Sequence, residues 1–367
     1  MDAVSEIKAR LPIDELVGSY CQLQKKGKQF LALCPFHNDT KPSLTVSPDK
    51  GIAYCFACSS GGDIFSFYQQ IEGVDFVQAL KDLAEKTGVD LPKRSAEPSI
   101  KKDEKESIRN CLEKALEFYR SQLNENENAK KYMEARKMGK DMIDKFEIGY
   151  APDSFDATYS YLLKAGHSRS EIVKAGLGIQ KELQEERIYD RFRNRIVFPI
   201  RDHNGHLIGF GGRTIGNDDA KYINSPDGPL YNKSIALFGI NLAKESIRKS
   251  KNVVLVEGYF DVTAFHRIGI ENVVAVSGIA LTEQHVNILK RYTDKVTLCL
   301  DNDASGIQAA ERAYMLCKAR ELNVKTLILP AGKDPDECVT LVPDDLKKAL
   351  EEGTLNYIDG VITQAEI

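Results

Sequence analysis

Apolar positions along the chain fall into three successive rhythms. In the first ninety or so residues the apolar stretches are short: 4–11 and 13–20 read as small helices, 30–33 and 51–55 as strands. Asp63, behind Gly61-Gly62, is placed to cap a helix running to residue 71. The pattern then lapses over 92–107, PKRSAEPSIKKDEKES, a charged run almost without large apolar residues that predicts a linker. Within 111–123, Leu112, Ala115, Leu116 and Tyr119 recur at the spacing of one helical face, and helices are expected onward to about residue 176. Two β-rich runs, 195–202 and 207–212, flank His203-Asn204-Gly205-His206, and Asn-Gly between such runs predicts a hairpin. From residue 252 short β-branched runs at 253–256, 273–276, 296–300 and 324–329 alternate with helical stretches at 260–267, 282–291, 305–320 and 343–352. Strands separated by helices in this way predict a parallel sheet with crossover helices.

A length of 367 residues adds the expectation of two or three domains, and 42% hydrophobic with 28% charged residues excludes a fibrous or wholly disordered chain. No apolar stretch approaches the roughly 18 residues of a membrane span, and the N-terminus lacks a signal-peptide core, so a cytoplasmic protein is expected. The formal charge of −4 speaks against a uniformly basic surface, yet it hides local asymmetry. Residues 187–233 carry eight Lys/Arg against five Asp/Glu, whereas 334–367 carry nine acids against two lysines. Function is therefore sought in patches.

Of the eight cysteines, three cluster. Cys34-Pro35-Phe36-His37 is followed after seventeen residues by Cys55-Phe56-Ala57-Cys58. Two pairs with two-residue gaps clasp one tetrahedral ion, and three thiolates with one imidazole fill all four positions of a structural zinc site. No position is left for water, so such a site holds structure and does no hydrolysis. Around it lie Lys25, Lys26, Lys28, Phe30, Phe36, Lys41, Lys50, Tyr54 and Phe56. Lysines neutralise phosphates and aromatic faces stack on unpaired bases, which is the chemistry of single-strand binding. For Phe36 and Phe56 a second reading stands beside this one: packing around the metal as a small core.

The other constellation is acidic. Glu257 closes the run 253–256, Asp301 and Asp303 close 296–300, and Asp334 and Asp336 follow 324–329. In a parallel sheet, carboxylates just past the strand ends meet in one crevice. Crowded negative charge is costly unless a cation neutralises it, and all-oxygen ligands favour Mg²⁺ or Mn²⁺. Asp336 and Glu337 have helix capping as their alternative role.

These residues resemble a known family. CPFHNDTKPSLTVSPDKGIAYCFACSSGGDIFSF is similar to the zinc domain of bacterial DnaG-type primases, and VEGYFDV with DNDASG and DPDE resembles the Toprim core that those primases share with type IA topoisomerases. RIVFPIRDHNGHLIGFGGR and KYINSPDGPLYNKS resemble the primase-specific segment between them, so that the likeness covers 1–345 in family order. It implies an α+β multidomain chain: a zinc-ribbon domain over 1–92, a linker over 93–108, a mixed α+β subdomain over 109–250, an α/β Toprim sheet over 251–340, and the start of a helical subdomain over 341–367. Glu257, Asp301 and Asp303 match the principal catalytic, metal-binding acids, with Asp261, Asp334 and Asp336 as supporting magnesium ligands. Arg193, Arg195, Lys221, Tyr222, Asn224, Ser225 and Lys233 match residues placed beside the crevice for nucleotide or template.

The implied cofactors are one structural zinc and two or more catalytic Mg²⁺ or Mn²⁺. The implied partners are single-stranded DNA, ribonucleoside triphosphates and the RNA–DNA hybrid product, with no membrane, for a monomer at the bacterial nucleoid. Two departures stand out: Gly278-Ile279 replaces the family's common Gly-Thr, and the chain ends at Ile367, where members continue into the rest of the helical subdomain and a helicase-binding domain. Two alternatives to primer synthesis remain. One is another Toprim enzyme, a nuclease or topoisomerase, although type IA topoisomerases also need a nucleophilic tyrosine in a large downstream region. The other is a non-enzymatic single-strand-binding zinc protein, which has no use for the acidic set.

Overall fold

The structure, a computed structural model, describes residues 3–37, 39–58, 60–72, 76–89, 102–181, 184–278 and 280–357. The chain divides into two compact units, Met1–Ser99 and Ile100–Ile367.

In the first unit, helices Ala3–Arg10 and Ile13–Gly18 precede a five-stranded antiparallel meander. Its strands Gln24–Lys26, Gln29–Ala32, Leu44–Ser47, Ile52–Cys55 and Gly61–Gly62 pair in chain order. The pleat turns Ala32, Leu44, Val46 and Ala53 to one face, where they pack against Leu16, Val17, Phe65 and Phe67. Gly61 sits at φ 125°, and a Cβ there would lie 2.1 Å from the Ala53 carbonyl oxygen, which accounts for a glycine at this edge. Asp63 caps helix Ile64–Glu72 as expected, its Oδ1 accepting the Ser66 amide at 2.9 Å. Helix Phe76–Thr87 completes the unit.

The second unit opens on helix Lys102–Glu125, which begins inside the stretch read as linker; 92–101 lie outside the described residues. Ile108, Cys111, Leu112, Ala115, Leu116, Tyr119 and Leu123 form its buried stripe. The stripe lies on a four-stranded antiparallel sheet in the order Tyr222–Asn224, Leu207–Thr214, Arg195–Arg201, Gly149–Ala151. The predicted hairpin is present: Gly205 takes φ 91°, and Asp202 Oδ1 accepts the amides of Asn204 and His206, each at 2.9 Å. Strand Gly149–Ala151 interrupts the helices expected over this region. It is held by pairing with Arg195–Val197 and by Tyr119, whose backbone would lie 2.7 Å from any Cβ at Gly149. A two-stranded ribbon, Gly178–Lys181 with Gln184–Asp190, was likewise not read from the pattern.

The last third forms the expected parallel sheet. Its order is Val273–Ala275, Val253–Val256, Lys295–Leu298, Asn323–Thr326, with the short strand Leu355–Asn356 antiparallel at the edge. Helices Tyr259–Arg267, Glu283–Lys290 and Ala304–Lys318 make the crossovers. Val253–Val256 is buried throughout, as a strand covered on both faces requires. Phe198 of the antiparallel sheet stacks on Tyr259 with ring centres 4.9 Å apart and planes 9° from parallel, so the two sheets share one core.

Candidate metal centre and acidic crevice

In the first unit the ligand atoms of Cys34, His37, Cys55 and Cys58 all lie within 4.8 Å of one another. A tetrahedron with Zn–S bonds of about 2.3 Å has sulfur–sulfur edges of about 3.8 Å, and Cys34 Sγ and Cys58 Sγ are 3.7 Å apart. His37 turns Nδ1 toward Cys55 Sγ at 4.0 Å. Burial raises the Cys34 thiol to about 12. At Cys55 burial acts the same way but is outweighed by the Ser43 hydroxyl and the amides of Cys58 and Ala57, which hold the thiol at about 6. A thiolate favoured in this way suits a metal ligand. Behind the cluster, Asp39 accepts the Cys34 amide at 2.9 Å and the Ser43 hydroxyl at 2.6 Å, and lies 3.8 Å from His37 Nε2. A carboxylate that orients the ligands from behind is the usual outer support of a metal site.

Of the flanking aromatics, Phe36 packs edge-on against Phe67 with centres 5.2 Å apart and belongs to the small core. Phe56 is 75% exposed, beside Tyr54. The two positions left open by the sequence thus part ways.

In the second unit, strand order reverses between Val253–Val256 and Lys295–Leu298, and a crevice opens beyond their carboxyl ends. Glu257 and Asp301 occupy that switch point, with the Asp301 amide donating to Glu257 Oε1 at 3.2 Å. The cavity holds about 540 Å³; Glu257, Asp261, Asp301, Asp334, Asp336 and Glu337 line it together with Arg136, Lys221 and Lys333. Asp303 stands exposed outside this lining and caps helix Ala304–Lys318, its Oδ1 accepting the Gly306 amide at 2.8 Å. Asp334 caps helix Pro335–Leu341 in the same way, through the Glu337 amide at 2.8 Å. Ile279, where the family commonly has threonine, lies outside the described residues.

Burial, reinforced by the charges of Glu257, Asp334 and Asp303, pushes Asp301 up to about 7, against a small opposing pull from Lys221. Burial and Asp303 raise Glu257, and burial with Asp301 raises Asp261 well above the usual carboxylate range. Asp301 Oδ1 is buried without a hydrogen-bond partner among the described residues. A buried carboxylate oxygen is not left bare without cost, and an oxygen-only donor set fits a hard divalent cation. Among the described residues only the Cys-His cluster closes to within 4.8 Å. No three of the described crevice acids close to that distance.

The remaining predicted residues are distributed unevenly. Lys221 and Tyr222 reach the cavity, with Arg213 over the Tyr222 ring at 5.0 Å. Lys233 is exposed, 3.6 Å from Asp227. Asn224 is engaged at both ends of its amide: Oδ1 accepts the Tyr259 hydroxyl at 2.7 Å, and Nδ2 donates to the Ser277 carbonyl at 2.6 Å. Ser225 is buried, its hydroxyl accepting the Phe210 amide at 3.0 Å. Arg195 is only 4% exposed and pairs with Asp218 at 3.0 Å. Arg193 precedes the strand, over the Phe155 ring at 4.9 Å, and Asn194 at φ 48° separates it from Arg195, so the two arginines do not share a strand face. Sequence reasoning missed Arg136 and Lys333. Lys333 was open to inference from its place beside Asp334; Arg136, at the end of a helix 200 residues from Asp336, carries no local signal.

Fold and sites together define the class: a chain that joins a closed zinc ribbon to a Toprim-type parallel sheet with acids at its switch point. Family models agree piece by piece. One described as a CHC2 zinc finger matches residues 1–99, one described as the N-terminal domain of the DNA primase catalytic core matches 118–244, and a Toprim-like model matches 254–339. The crystal structure of the Aquifex aeolicus primase, zinc-binding and RNA polymerase domains, is similar with a TM-score of 0.64 and 33% identity over 96% of this chain and 86% of that one. A DnaG primase catalytic domain bound to single-stranded DNA gives 0.63 and 31% over 71% of this chain and 83% of that one. The DNA primase of Halalkalibacterium halodurans is 39% identical over 342 residues, 92% of this chain but 57% of that protein. The chain belongs to the DnaG-type DNA primases, and it spans little more than half the length of such full relatives. Among the described residues no helix is long and apolar enough to cross a membrane.

Proposed function

We propose that the chain synthesises RNA primers on single-stranded DNA by joining ribonucleoside triphosphates in the acidic crevice. One observation carries the reading: the bare, buried Asp301 Oδ1 sits beside Glu257 in a cavity that also has Arg136, Lys221 and Lys333 in its wall. An acid that needs a cation, in a cavity walled by basic side chains, suits a metal-bound polyphosphate. Glu257, Asp301 and Asp303 would hold Mg²⁺ or Mn²⁺, with Asp261 and Asp334 in support. Such ions, when bound, polarise the α-phosphate and offset charge on the leaving pyrophosphate. Lys221 and Lys333 orient the triphosphate, and the exposed Lys233 and Arg193 meet the template backbone. In the first unit, exposed Phe56 with Tyr54 and the lysines around the ribbon provide a stacking surface for unpaired bases. The work belongs where the template is, at the nucleoid in the bacterial cytoplasm.

The test is incubation of the protein with single-stranded DNA, ribonucleotides and Mg²⁺. Short RNA products are expected, and Asp301→Asn should lower their yield by orders of magnitude while DNA affinity stays near that of the parent. Nicked DNA without RNA would establish a nuclease instead, and DNA binding with neither product would establish a binding protein.

A further inference from the structure

Asp336 differs from the other crevice acids in what already holds it. Its Oδ1 accepts from Arg267 Nη2 at 2.8 Å, and its Oδ2 from Arg136 Nη1 at 3.0 Å. Both carboxylate oxygens are therefore engaged by cations, whereas Asp301 Oδ1 is bare and Asp261 has one oxygen on the Gly258 amide. Asp334 and Asp261 face this carboxylate as well, but with each of its oxygens on a guanidinium its own charge is already neutralised, and it has less to offer a divalent cation than a bare acid such as Asp301.

The three residues come from three elements. Arg136 ends helix Glu127–Ala135, Arg267 ends helix Tyr259–Arg267, and Asp336 lies in the first turn of helix Pro335–Leu341. Arg267 also donates to the carbonyls of Arg136 at 2.9 Å and Lys137 at 3.2 Å, pinning the helix end that carries Arg136. The guanidinium of Arg136 lies over the Phe260 ring at 5.0 Å, so an aromatic face and the Asp336 carboxylate together fix its orientation. It remains a third exposed and forms part of the cavity wall.

We propose that Asp336 is a positioning residue and not a ligand of the crevice cation: it ties Arg136 to Arg267 and so fixes Arg136 in the cavity wall, where it meets the polyphosphate of a nucleotide. The inference rests on the proposed nucleotide chemistry for Arg136's partner, but not for the role of Asp336 itself. It departs from the expectation, drawn from the family resemblance, that Asp336 is a supporting metal ligand.

The experiment titrates Mn²⁺ alone into the full chain and its variants by paramagnetic resonance, and separately measures ATP affinity and the steady-state constants of primer synthesis. Asp301→Asn should weaken Mn²⁺ binding more than about tenfold, while Asp336→Asn stays within about twofold of the parent. Asp336→Asn and Arg136→Gln should each raise the KM for ribonucleotide about tenfold with kcat little changed, and the double variant should cost no more than the larger single change, because both act through one guanidinium. Since Asp336→Asn also removes the anion paired with Arg267, thermal unfolding is followed in parallel; Arg136→Gln keeps the Arg267–Asp336 pair and still gives the nucleotide result if Asp336→Asn does not fold. Loss of Mn²⁺ affinity in Asp336→Asn equal to that in Asp301→Asn would overturn the proposal. So would unchanged nucleotide affinity in a folded Arg136→Gln. Absence of RNA synthesis by the parent would count against the primer reading alone, because Mn²⁺ and ATP binding still decide the role of Asp336.

Discussion

A cation held by the crevice acids as proposed must compete with protons, and the size of that competition follows from Asp301. With its carboxyl raised to about 7, chiefly by burial and then by Glu257, Asp334 and Asp303, the group is ionised in about one molecule in eleven at pH 6 and about ten in eleven at pH 8. A cation that binds only the ionised form should therefore bind about tenfold more tightly at pH 8 than at pH 6, and should expel about half a proton at pH 7. Mn²⁺ titration calorimetry in two buffers of different ionisation enthalpy reads both quantities. Expulsion of more than half a proton at pH 7 would mean that Glu257 or Asp261, both also raised, titrates with Asp301. Stability moves the other way. The folded value lies above the ordinary 3.8, so the native state keeps a proton that the unfolded chain releases. That contribution is complete below the unfolded value and is lost as pH rises through the folded one. The metal-free protein should accordingly lose melting temperature between about pH 4 and pH 7 from this group, and Asp301→Asn should flatten that part of the profile. Mn²⁺ affinity that is level from pH 6 to pH 8, without proton release, would refute the reasoning.

Five further variants have expected outcomes. Cys58→Ser should release zinc and unfold the ribbon over 30–60 while leaving Mn²⁺ binding in the second unit intact, checked by metal analysis and calorimetry; stoichiometric zinc in the variant would refute the ligand set. Phe56→Ala should weaken single-strand binding by about 1–3 kcal/mol with little change in thermal stability, because the ring is mostly exposed. Phe36→Ala, which removes a half-buried ring packed on Phe67, should lower stability by less than the ~3–5 kcal/mol of a fully buried phenylalanine, read by thermal unfolding. Lys233→Ala should reduce the salt slope of template binding by about one, whereas Lys221→Ala should act mainly on nucleotide KM because Lys221 lines the cavity.

Much of this was legible in the chain itself, for identifiable reasons. Val253–Val256 and Val273–Ala275 announce themselves because strands buried on both faces are unbroken apolar runs, Lys295–Leu298 and the alternating edge-side strand Asn323–Thr326 because β-branched residues recur between helical stretches, and the zinc ligands because one tetrahedral ion dictates their spacing. Strand Gly149–Ala151 was invisible: three residues have no period, and its existence depends on partners at Arg195–Val197 and on Tyr119. The basic residues show the other limit. Charge and turn composition over 187–233 marked a patch, yet only packing distinguishes Lys221, which lines the cavity, from Arg195, which is buried against Asp218. Arg136 became apparent only once the fold brought together residues 200 positions apart.

The Asn224 amide links three segments, and one of them is held in an awkward shape. Ser277 adopts φ 53°, a left-handed conformation that a residue other than glycine reaches at a cost, just before Gly278 at φ 88°. Its carbonyl is fixed by Asn224 Nδ2, from the antiparallel sheet, while Tyr259, from the parallel half, holds the other end of the same amide. Ser277 and Gly278 form part of the cavity wall, so that wall exists in its final shape only after the two sheets have docked. During synthesis on the ribosome the antiparallel half emerges first and waits; the acids arrive later, on a sheet whose crevice is still open on one side. Assembly thus serves as a licence: a chain whose two sheets fail to dock carries every acidic residue and yet has no complete cavity wall around them.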